Sequence, residues 1–556
     1  MHSEGGFVAN AALLLWIPLC LVMFAVKRRE AIFFSMLGGM LFLPEKVNFD
    51  LPLIPPFDKQ VFSALGALIG CLVFSPRRLG RARPGRGLDL VLFVLMACAL
   101  FTVAGNGDPM VIRQNVRPGL DYHDGISYAI GDLMIFGLPF LVGRAAFQDA
   151  SDLRSFFRVF LRFGLVYSGL MLLEVRLSPQ LHTWVYGFHQ HVFLQSLRWG
   201  GYRPTVFMNH GLAVGLFALM VLLAVCAQSR VAKKVLRMPR KLAVAYFSVV
   251  LVLCKSTGAI LFGVLGLPFV LWRSARAQVR LALVLGAICF LYPILKLTGA
   301  FPDRTVIELS KEATNEERAE SLEFRFMNEQ KLMDHTRERF WFGWGGFGRA
   351  GVTNAAGQDI STFDGFWIIQ LASRGVIVLF LSFIILLYPV LVASRSLRAV
   401  PDKKDQLLLA TLALMVALHS VDLLPNGLFT NIPFFYAGGL LQVSRSLANA
   451  ARQPPSTSAR SCSTVSQAGK RKRGLSTGVT LTFIAPSWLS NDRQERARSS
   501  SSRWNSKEIS GTWRVSPLKT SVSKPSTSTL MYLGTPKAWM MPSRVVSSIS
   551  TDSTAP

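Results

Sequence analysis

The chain is built from long apolar runs separated by short polar connections. A helix needs about 20 mostly apolar residues to cross the hydrocarbon core of a bilayer. The expected fold class is therefore all-α, a polytopic transmembrane helical bundle of about 12–13 spans. We predict spans over residues 8–26, 31–45, 60–75, 88–104, 127–147, 156–175, 206–227, 242–254, 258–272, 281–298, 364–392, 407–424 and 431–446.

Two details of this pattern need interpretation. The run 242–272 is too long for one helix and short for two, and the polar segment 255–258 interrupts it, so we split it there. Residues 1–7 contain no Lys or Arg, and no small-residue cleavage site follows residue 26. We therefore expect the first apolar run to be a membrane span and not a cleaved signal peptide.

Charge predicts the orientation of the bundle. Short loops rich in Lys and Arg stay on the cytoplasmic side of a membrane. The basic loops fall at 27–29, 77–86, 144–158, 230–241, 273–280 and 395–404. The other loops then face outward, with the N-terminus outside and the C-terminus inside. They fall at 46–59, 105–126, 176–205, 299–363 and 425–430.

Composition excludes several protein classes. Hydrophobic residues make up 51% of the 556 residues and charged residues only 17%, which argues against a soluble enzyme or a disordered protein. The formal net charge of +28 would suit nucleic acid. Its basic residues within 1–450 lie in short loops between apolar runs, however, so we expect no nucleic-acid partner. The seven cysteines form no CxxC pair or Cys/His cluster, so we expect neither a metal nor a disulfide framework, and no cofactor.

The chain divides into a membrane domain, residues 1–450, and a tail, residues 451–556. The tail is rich in Ser, carries many more basic than acidic residues and shows no sustained periodicity. Such a composition cannot bury enough apolar surface to offset the entropy of ordering. We predict a disordered cytoplasmic tail.

The large outward loop, 299–363, carries most of the candidate chemistry. Apolar residues recur at helical spacing over 303–339, and Arg325 lies on the more polar side of this predicted helix. His335 lies near the end of the stretch, and the glycine-rich segment 341–349 follows the stretch and ends at Arg349. Four glycines in six residues permit close backbone approach or a tight return of the chain to the membrane.

Acidic and basic groups also mark the next span. Asp364 lies at its outer boundary, where it is either a helix N-cap or a proton acceptor. Arg374 lies about 15 Å deeper, at 1.5 Å per residue. An arginine within the membrane is costly and usually faces a partner, for which Asp132 and Asp422 are the acids available.

The outward loop 176–205 ends at Arg203, with His210 just beyond it. An arginine at this height is either a bidentate phosphate ligand or an interfacial anchor whose stem lies along apolar surface. Both alternatives stay open on the sequence alone.

These motifs, in this order, resemble those of the O-antigen ligase and O-antigen polymerase family of bacterial envelopes, over roughly residues 90–445. The matching features are Arg203 with the segment 207–210, the polar break that begins at Lys255, Arg325, the glycine-rich turn 343–348, and the re-entry from Asp364 to Gly375. The family's ligases carry His where this chain has Asp364. That difference favours a polymerase of O-antigen or exopolysaccharide over a ligase.

The resemblance implies an inner-membrane glycosyltransferase that joins repeat units carried on undecaprenyl diphosphate, with its large loop in the periplasm. Arg203 and Arg325 would stabilise the diphosphate, and Asp364 would be the general base. We assign His210, His335, Arg349 and Lys255 to substrate binding, the two histidines being alternative bases. The implied partners are the lipid-linked glycan, membrane lipids, a chain-length regulator and other polysaccharide assembly proteins. The alternatives are a ligase, or a transporter or flippase of lipid-linked sugars.

Orientation gives the first testable prediction. Cysteines introduced at Gln195 and Asn315 should react with a membrane-impermeant thiol reagent in intact spheroplasts, because both loops are predicted to face outward. The measurement is labelling before and after permeabilisation. Labelling of both sites only after permeabilisation would overturn the orientation.

Overall fold

The computed structural model describes residues 6–51, 54–82, 87–112, 115–313, 316–354, 358–428 and 430–452. Over these residues the chain is mostly helical. The helices are α1 Phe7–Val26, α2 Arg28–Phe42, α3 Lys59–Phe74, α4 Pro76–Arg81, α5 Leu88–Ala104, α6 Tyr122–Asp132, α7 Leu138–Ala146, α8 Ala150–Leu177, α9 Leu181–Tyr186, α10 Gly211–Val231, α11 Arg240–Leu253, α12 Thr257–Trp272, α13 Ala275–Leu297, α14 Asp303–Ala313, α15 Glu316–Thr336, α16 Phe366–Ser396, α17 Lys403–Asp422 and α18 Ile432–Arg452. A π-helical segment, Leu133–Gly137, joins α6 to α7.

The strands form only short antiparallel hairpins in the connections between helices. They are β1 Phe49–Leu51 with β2 Ile54–Phe57, β3 Met110–Ile112 with β4 Asn115–Arg117, β5 Leu197–Arg198 with β6 Gly201–Tyr202, and β7 Lys234–Val235 with β8 Met238–Pro239. In the hairpin that leads to Arg203, Leu197 lies opposite Tyr202 and Arg198 opposite Gly201.

The all-α prediction is confirmed for the described residues, and each predicted span overlaps a helix. Seven helical segments there are long and apolar enough to cross a membrane: Phe7–Val26, Tyr122–Ala146, Ala150–Leu177, Gly211–Val231, Ala275–Leu297, Phe366–Ala399 and Lys403–Asp422. Three further apolar helices, α3, α5 and α12, are shorter. The number of crossings and the side of each loop stay predictions.

Large apolar side chains lie on the outside of this bundle as well as inside it. Phe93 on α5 and Leu261 and Val264 on α12 are each more than half exposed. A protein in water rarely presents such faces, whereas hydrocarbon is a suitable solvent for them. The surface therefore agrees with a multi-pass membrane protein.

The predicted helical breaks are present. The chain leaves α11 at Leu253 and enters α12 at Thr257, and Lys255 between them has φ 49°. The charged stretch of the large loop forms α14 and α15, as its periodicity indicated. Of the predicted tail, only residues 451 and 452 lie within the described residues, at the end of α18, so the prediction of disorder falls outside them.

Helix α16 is interrupted inside the bundle at Gly375, whose φ of 81° and ψ of 175° are not helical. The glycine-rich segment of the large loop docks against this interruption. Trp344 N donates to Ala372 O at 2.9 Å, and Gly345 N donates to Ser373 O at 2.8 Å. Val376 N, just beyond the break, donates to Phe340 O at 3.0 Å. The backbone groups that the break frees are thus bonded within the protein, as an apolar environment requires.

Charge at the same depth is also paired. Arg374 Nη1 donates to Asp132 Oδ1 at 3.0 Å, and Nη2 contacts the other carboxylate oxygen. The guanidinium carbon lies 5.4 Å from the centre of the Tyr128 ring. Asp132 is therefore the partner of Arg374, while Asp422 accepts a hydrogen bond from Asn426.

The interruption of α16 gives the second prediction. Gly375→Ala places a Cβ against the Trp341 carbonyl and forces a non-glycine residue into a backbone region that costs on the order of 1–3 kcal/mol. We expect a lower melting temperature for the purified protein in detergent. Gly169→Ala on α8 is the control, because nothing lies within 4 Å of its Cβ position and alanine favours a helix. Equal melting of Gly375→Ala and wild-type protein would contradict the role assigned to the break.

Candidate functional site

The first group of candidate residues surrounds Arg203, which follows the β5–β6 hairpin. The Nε and Nη2 groups of Arg203 donate to the Lys255 carbonyl at 3.3 and 3.0 Å. In return, Lys255 Nζ donates to the Arg198 carbonyl at 3.0 Å. The break between α11 and α12 is thereby bound to the hairpin. We call Arg198, Arg203 and Lys255 the cationic cluster.

A buried carboxylate holds this loop in place. Glu174, near the end of α8, accepts hydrogen bonds from Leu181 N at 3.0 Å, Thr205 N at 2.8 Å and Val206 N at 2.7 Å. Tyr167 OH accepts one from Phe207 N at 3.1 Å. Charge-assisted bonds to backbone N–H groups are strong, so Glu174 fixes the segment after Arg203. The sequence analysis missed Glu174, although an acid near the end of an apolar run was a usable signal.

The cationic cluster has no acidic partner among the described residues. Within the part of the chain that the structure describes, no Asp or Glu lies within ion-pair distance of Arg198, Arg203 or Lys255, and Glu174 is used by backbone groups. Burial and the neighbouring Arg198 charge lower the pKa of Arg203 to about 10. Arg203 is 6% exposed, so its charge is poorly solvated. Such a cluster favours an anion.

His210 caps the helix that follows. Its Nδ1 accepts a hydrogen bond from Leu212 N at 3.0 Å, at the start of α10, and its Nε2 lies 3.1 Å from Gln195 Oε1. The proton therefore belongs on Nε2, which donates to the amide oxygen. Both ring nitrogens are engaged in holding the loop. The predicted role of His210 as an alternative base stays a prediction, and this arrangement leaves it no free nitrogen.

The second group pairs the large loop with the start of α16. Arg325 Nε on α15 lies 3.8 Å from Asp364 Oδ2, and both side chains are partly exposed. The N-cap residue of α16 is Gly365, which makes no side-chain capping bond. The interpretation of Asp364 as an N-cap is therefore wrong. The N-cap position is one residue later, at Gly365, and the Asp364 carboxylate lies near Arg325 instead.

The third group lies around the glycine-rich segment. The His335 ring stacks on Trp344 with centroids 4.3 Å apart, and its Nε2 lies 3.4 Å from the Arg349 carbonyl. Arg349 is buried and donates to the Asp108 carbonyl at 3.0 Å; burial lowers its pKa. Arg339 donates to the Asp108 carboxylate at 2.8 Å. These contacts bind the segment to the start of β3, so His335 and Arg349 lie in a structural cluster.

The structure thus brings the predicted site residues together in three groups. Arg203 with Lys255 and His210 form one, Arg325 with Asp364 the second, and His335 with Arg349 the third. Among the described residues, no hydrogen bond or ion pair joins one group to another.

A small cavity lies between the loop that carries Arg203 and the loop that follows α17, and it is lined mainly by apolar side chains. Met208, from the loop that carries Arg203, lines it, as do Leu423 and Leu428. Phe366 N, two residues after Asp364, donates to the Leu423 carbonyl at 2.9 Å. The loop of the cationic cluster and the loop that contacts the Asp364 segment therefore share this cavity.

The groups available for chemistry here are a carboxylate, Asp364, and the cations Arg203, Lys255 and Arg325. Over the residues that the structure describes, no group of three or more His, Cys, Asp or Glu side chains could hold a metal ion. Arg203 and Lys255 can neutralise an anion. The partly exposed Asp364 carboxylate can accept a proton, with Arg325 close enough to stabilise its negative charge or that of a ligand.

Comparison with known proteins adds no assignment: no protein-family model matches the chain, and a search of curated proteins finds no significant relative.

Proposed function

We propose that the protein is an inner-membrane glycan polymerase that joins repeat units carried on undecaprenyl diphosphate, as in O-antigen or exopolysaccharide synthesis. The observation that supports this most is the cationic cluster, whose charges have no acidic partner among the described residues. A diphosphate supplies the missing negative charge, and its oxygens can accept from Arg203 Nη1, since Nε and Nη2 already donate to the Lys255 carbonyl. The motif order of the sequence supports the sugar-transfer part of the proposal.

The apolar outer surface of the bundle supports a lipid-linked donor. A chain of isoprene units needs an apolar environment, and the exposed apolar side chains on the helices provide one. The diphosphate end of such a donor would then lie towards the cationic cluster. The proposed topology places this end at the periplasmic side of the inner membrane, within a bundle of 12 to 13 spans.

The proposed reaction is a single transfer. An acceptor sugar hydroxyl attacks the anomeric carbon of the donor, the new C–O bond forms, and the bond from that carbon to the diphosphate oxygen breaks. The lipid diphosphate leaves with the electron pair. Asp364 takes the hydroxyl proton, and Arg203 and Arg325 stabilise the charge that develops on the leaving group.

The alternative functions fit less well. A transporter would use free charges within the membrane. Arg374 and Asp132 neutralise each other, and of the three charged residues that suggested a transporter only Asp422, which accepts from Asn426, has no ionic partner among the described residues. A ligase shares the chemistry proposed here and differs in its acceptor. Product length separates them: loss of a polymerase leaves single repeat units, whereas loss of a ligase leaves long lipid-linked chains.

Substitution of the arginines gives the third prediction. Arg203→Ala should abolish polymer formation from lipid-linked repeat units by protein in membrane vesicles. Arg203→Lys should recover only part of it, because lysine keeps the charge and loses the planar fork. Losing one charge-assisted bond costs about 1.5–3 kcal/mol, or roughly one to two powers of ten in rate. Arg325→Ala and Asp364→Asn should also lose polymer.

The controls are two exposed arginines that lie outside these groups, Arg176 at the end of α8 and Arg304 on α14. Their alanine variants should polymerise like the wild type at equal protein level. If Arg203→Lys is silent and Arg203→Ala only lowers protein level, Arg203 is an interfacial anchor and the proposal fails at its main support.

A further inference from the structure

A buried polar network lies under the large loop, next to the Arg325–Asp364 pair. Glu329 on α15 is its centre. Trp367 Nε1 donates to Glu329 Oε1 at 3.0 Å, and Tyr292 OH donates to Oε2 at 2.8 Å. Lys296 Nζ lies 3.1 Å from the same Oε2. Glu329 thus connects three helices: α15 itself, α13 through Tyr292 and Lys296, and α16 through Trp367.

The charges of this network are almost fully removed from solvent. The side chains of Lys296 and Glu329 are 2% and 9% exposed. Lys296 also contacts Asp303 at 2.7 Å and lies over the Phe326 ring at 3.9 Å. Burying charges is costly unless each is paired and hydrogen-bonded, and here every one of them is. A distortion that broke one of these bonds would leave a buried polar group without a partner. Because that is costly, the network is rigid.

The network is placed to control the neighbouring pair. Glu329 follows Arg325 by four residues on α15, so their side chains lie on one face of that helix. Trp367 follows Asp364 by three residues. A second bond, from Thr362 N to Asn328 Oδ1 at 3.2 Å, joins the same two segments. The bonds of Glu329 and Asn328 therefore set the register between α15 and the entry to α16.

The Arg325–Asp364 pair is too weak to hold that register itself. Its atoms are 3.8 Å apart, and its side chains are 39% and 32% exposed. Ion pairs with this exposure contribute little to stability, because solvent screens them. The buried network is the stronger constraint on the register between α15 and α16. The distance between Arg325 and Asp364 is a consequence of that register.

We propose that Glu329 is a positioning residue, which holds Arg325 opposite Asp364 through its bonds to Trp367, Tyr292 and Lys296. The geometric part of this inference stands alone, and its consequence for turnover rests on the proposed function. Glu329 itself touches no substrate. It fixes the distance between Arg325, which would stabilise the leaving diphosphate, and Asp364, which would take the proton of the attacking hydroxyl.

The test has a geometric readout. Cysteines at Asn328 and Thr362 should form a disulfide with mild oxidant, which mass spectrometry of proteolytic peptides detects. This pair removes the Asn328 bond, so the register in this background depends on the bonds of Glu329. Adding Glu329→Gln should lower that yield severalfold, because glutamine cannot accept at both oxygens. Trp367→Phe is the milder variant, since it keeps an aromatic ring and removes a single N–H donor. Glu323→Gln is the control, because it makes the same substitution at an exposed position of α15 outside the network.

Turnover is the second readout. Glu329→Gln and Trp367→Phe should lower kcat roughly tenfold or more and change KM little, whereas the control Glu323→Gln should leave kcat unchanged. If Glu329 acts through Arg325, then Arg325→Ala with Glu329→Gln should be no slower than Arg325→Ala alone. Additive losses would indicate a general structural role and overturn the inference.

The outcomes separate this inference from the proposed function. Unchanged cross-linking in both Glu329→Gln and Trp367→Phe overturns the positioning role whatever the activity. Reduced cross-linking with unchanged kcat also overturns it. If the wild type forms no polymer from lipid-linked repeats, the proposed function fails, and reduced cross-linking still confirms that Glu329 sets the register. If Glu329→Gln does not fold, Trp367→Phe decides.

Discussion

The satisfaction of backbone hydrogen bonds inside an apolar bundle is the constraint on which the rest of this structure depends. Helix α16 breaks at Gly375, and a break at that depth frees carbonyls on one side and an N–H on the other. The segment from Phe340 to Gly345 supplies their partners. Because that segment is part of the large loop, these bonds attach the loop to α16. The loop is therefore bonded into the membrane domain, and His335 and Arg349, which contact each other and Trp344 around that segment, are placed by this docking.

Electrostatics follows the same logic. Arg374 is paired with Asp132, and Lys296 with Glu329 and Asp303, so these partly or fully buried charges are locally compensated. The cationic cluster is different, since Glu174, the buried carboxylate that holds its loop, is occupied by three backbone N–H groups. Arg203 is buried beside two further cations with no acid in ion-pair distance among the described residues, which gives an anionic ligand a natural place. The cavity next to Met208 adds an apolar neighbour to that place.

Periodicity and charge spacing predicted much of the fold because apolar runs and helical breaks are local properties. The interruption at 255–258 and the helices of the large loop could be predicted for this reason. Contacts between distant segments were not. Glu174 and Glu329 resemble ordinary acids in the sequence, and their importance depends on partners tens of residues away. At Asp364 a local rule was misleading. Its position before an apolar run fitted a helix N-cap, but its neighbour in the structure is Arg325 on another helix.

Binding of a lipid diphosphate to the cationic cluster tests the central claim most directly. Protein in lipid nanodiscs can be titrated with undecaprenyl diphosphate and undecaprenyl monophosphate, using wild-type, Arg203→Ala and Arg176→Ala proteins. The account predicts that the diphosphate binds more tightly than the monophosphate, that added salt weakens binding, and that Arg203→Ala loses roughly tenfold or more in affinity while Arg176→Ala does not. Equal affinity of all three proteins for the diphosphate would contradict it.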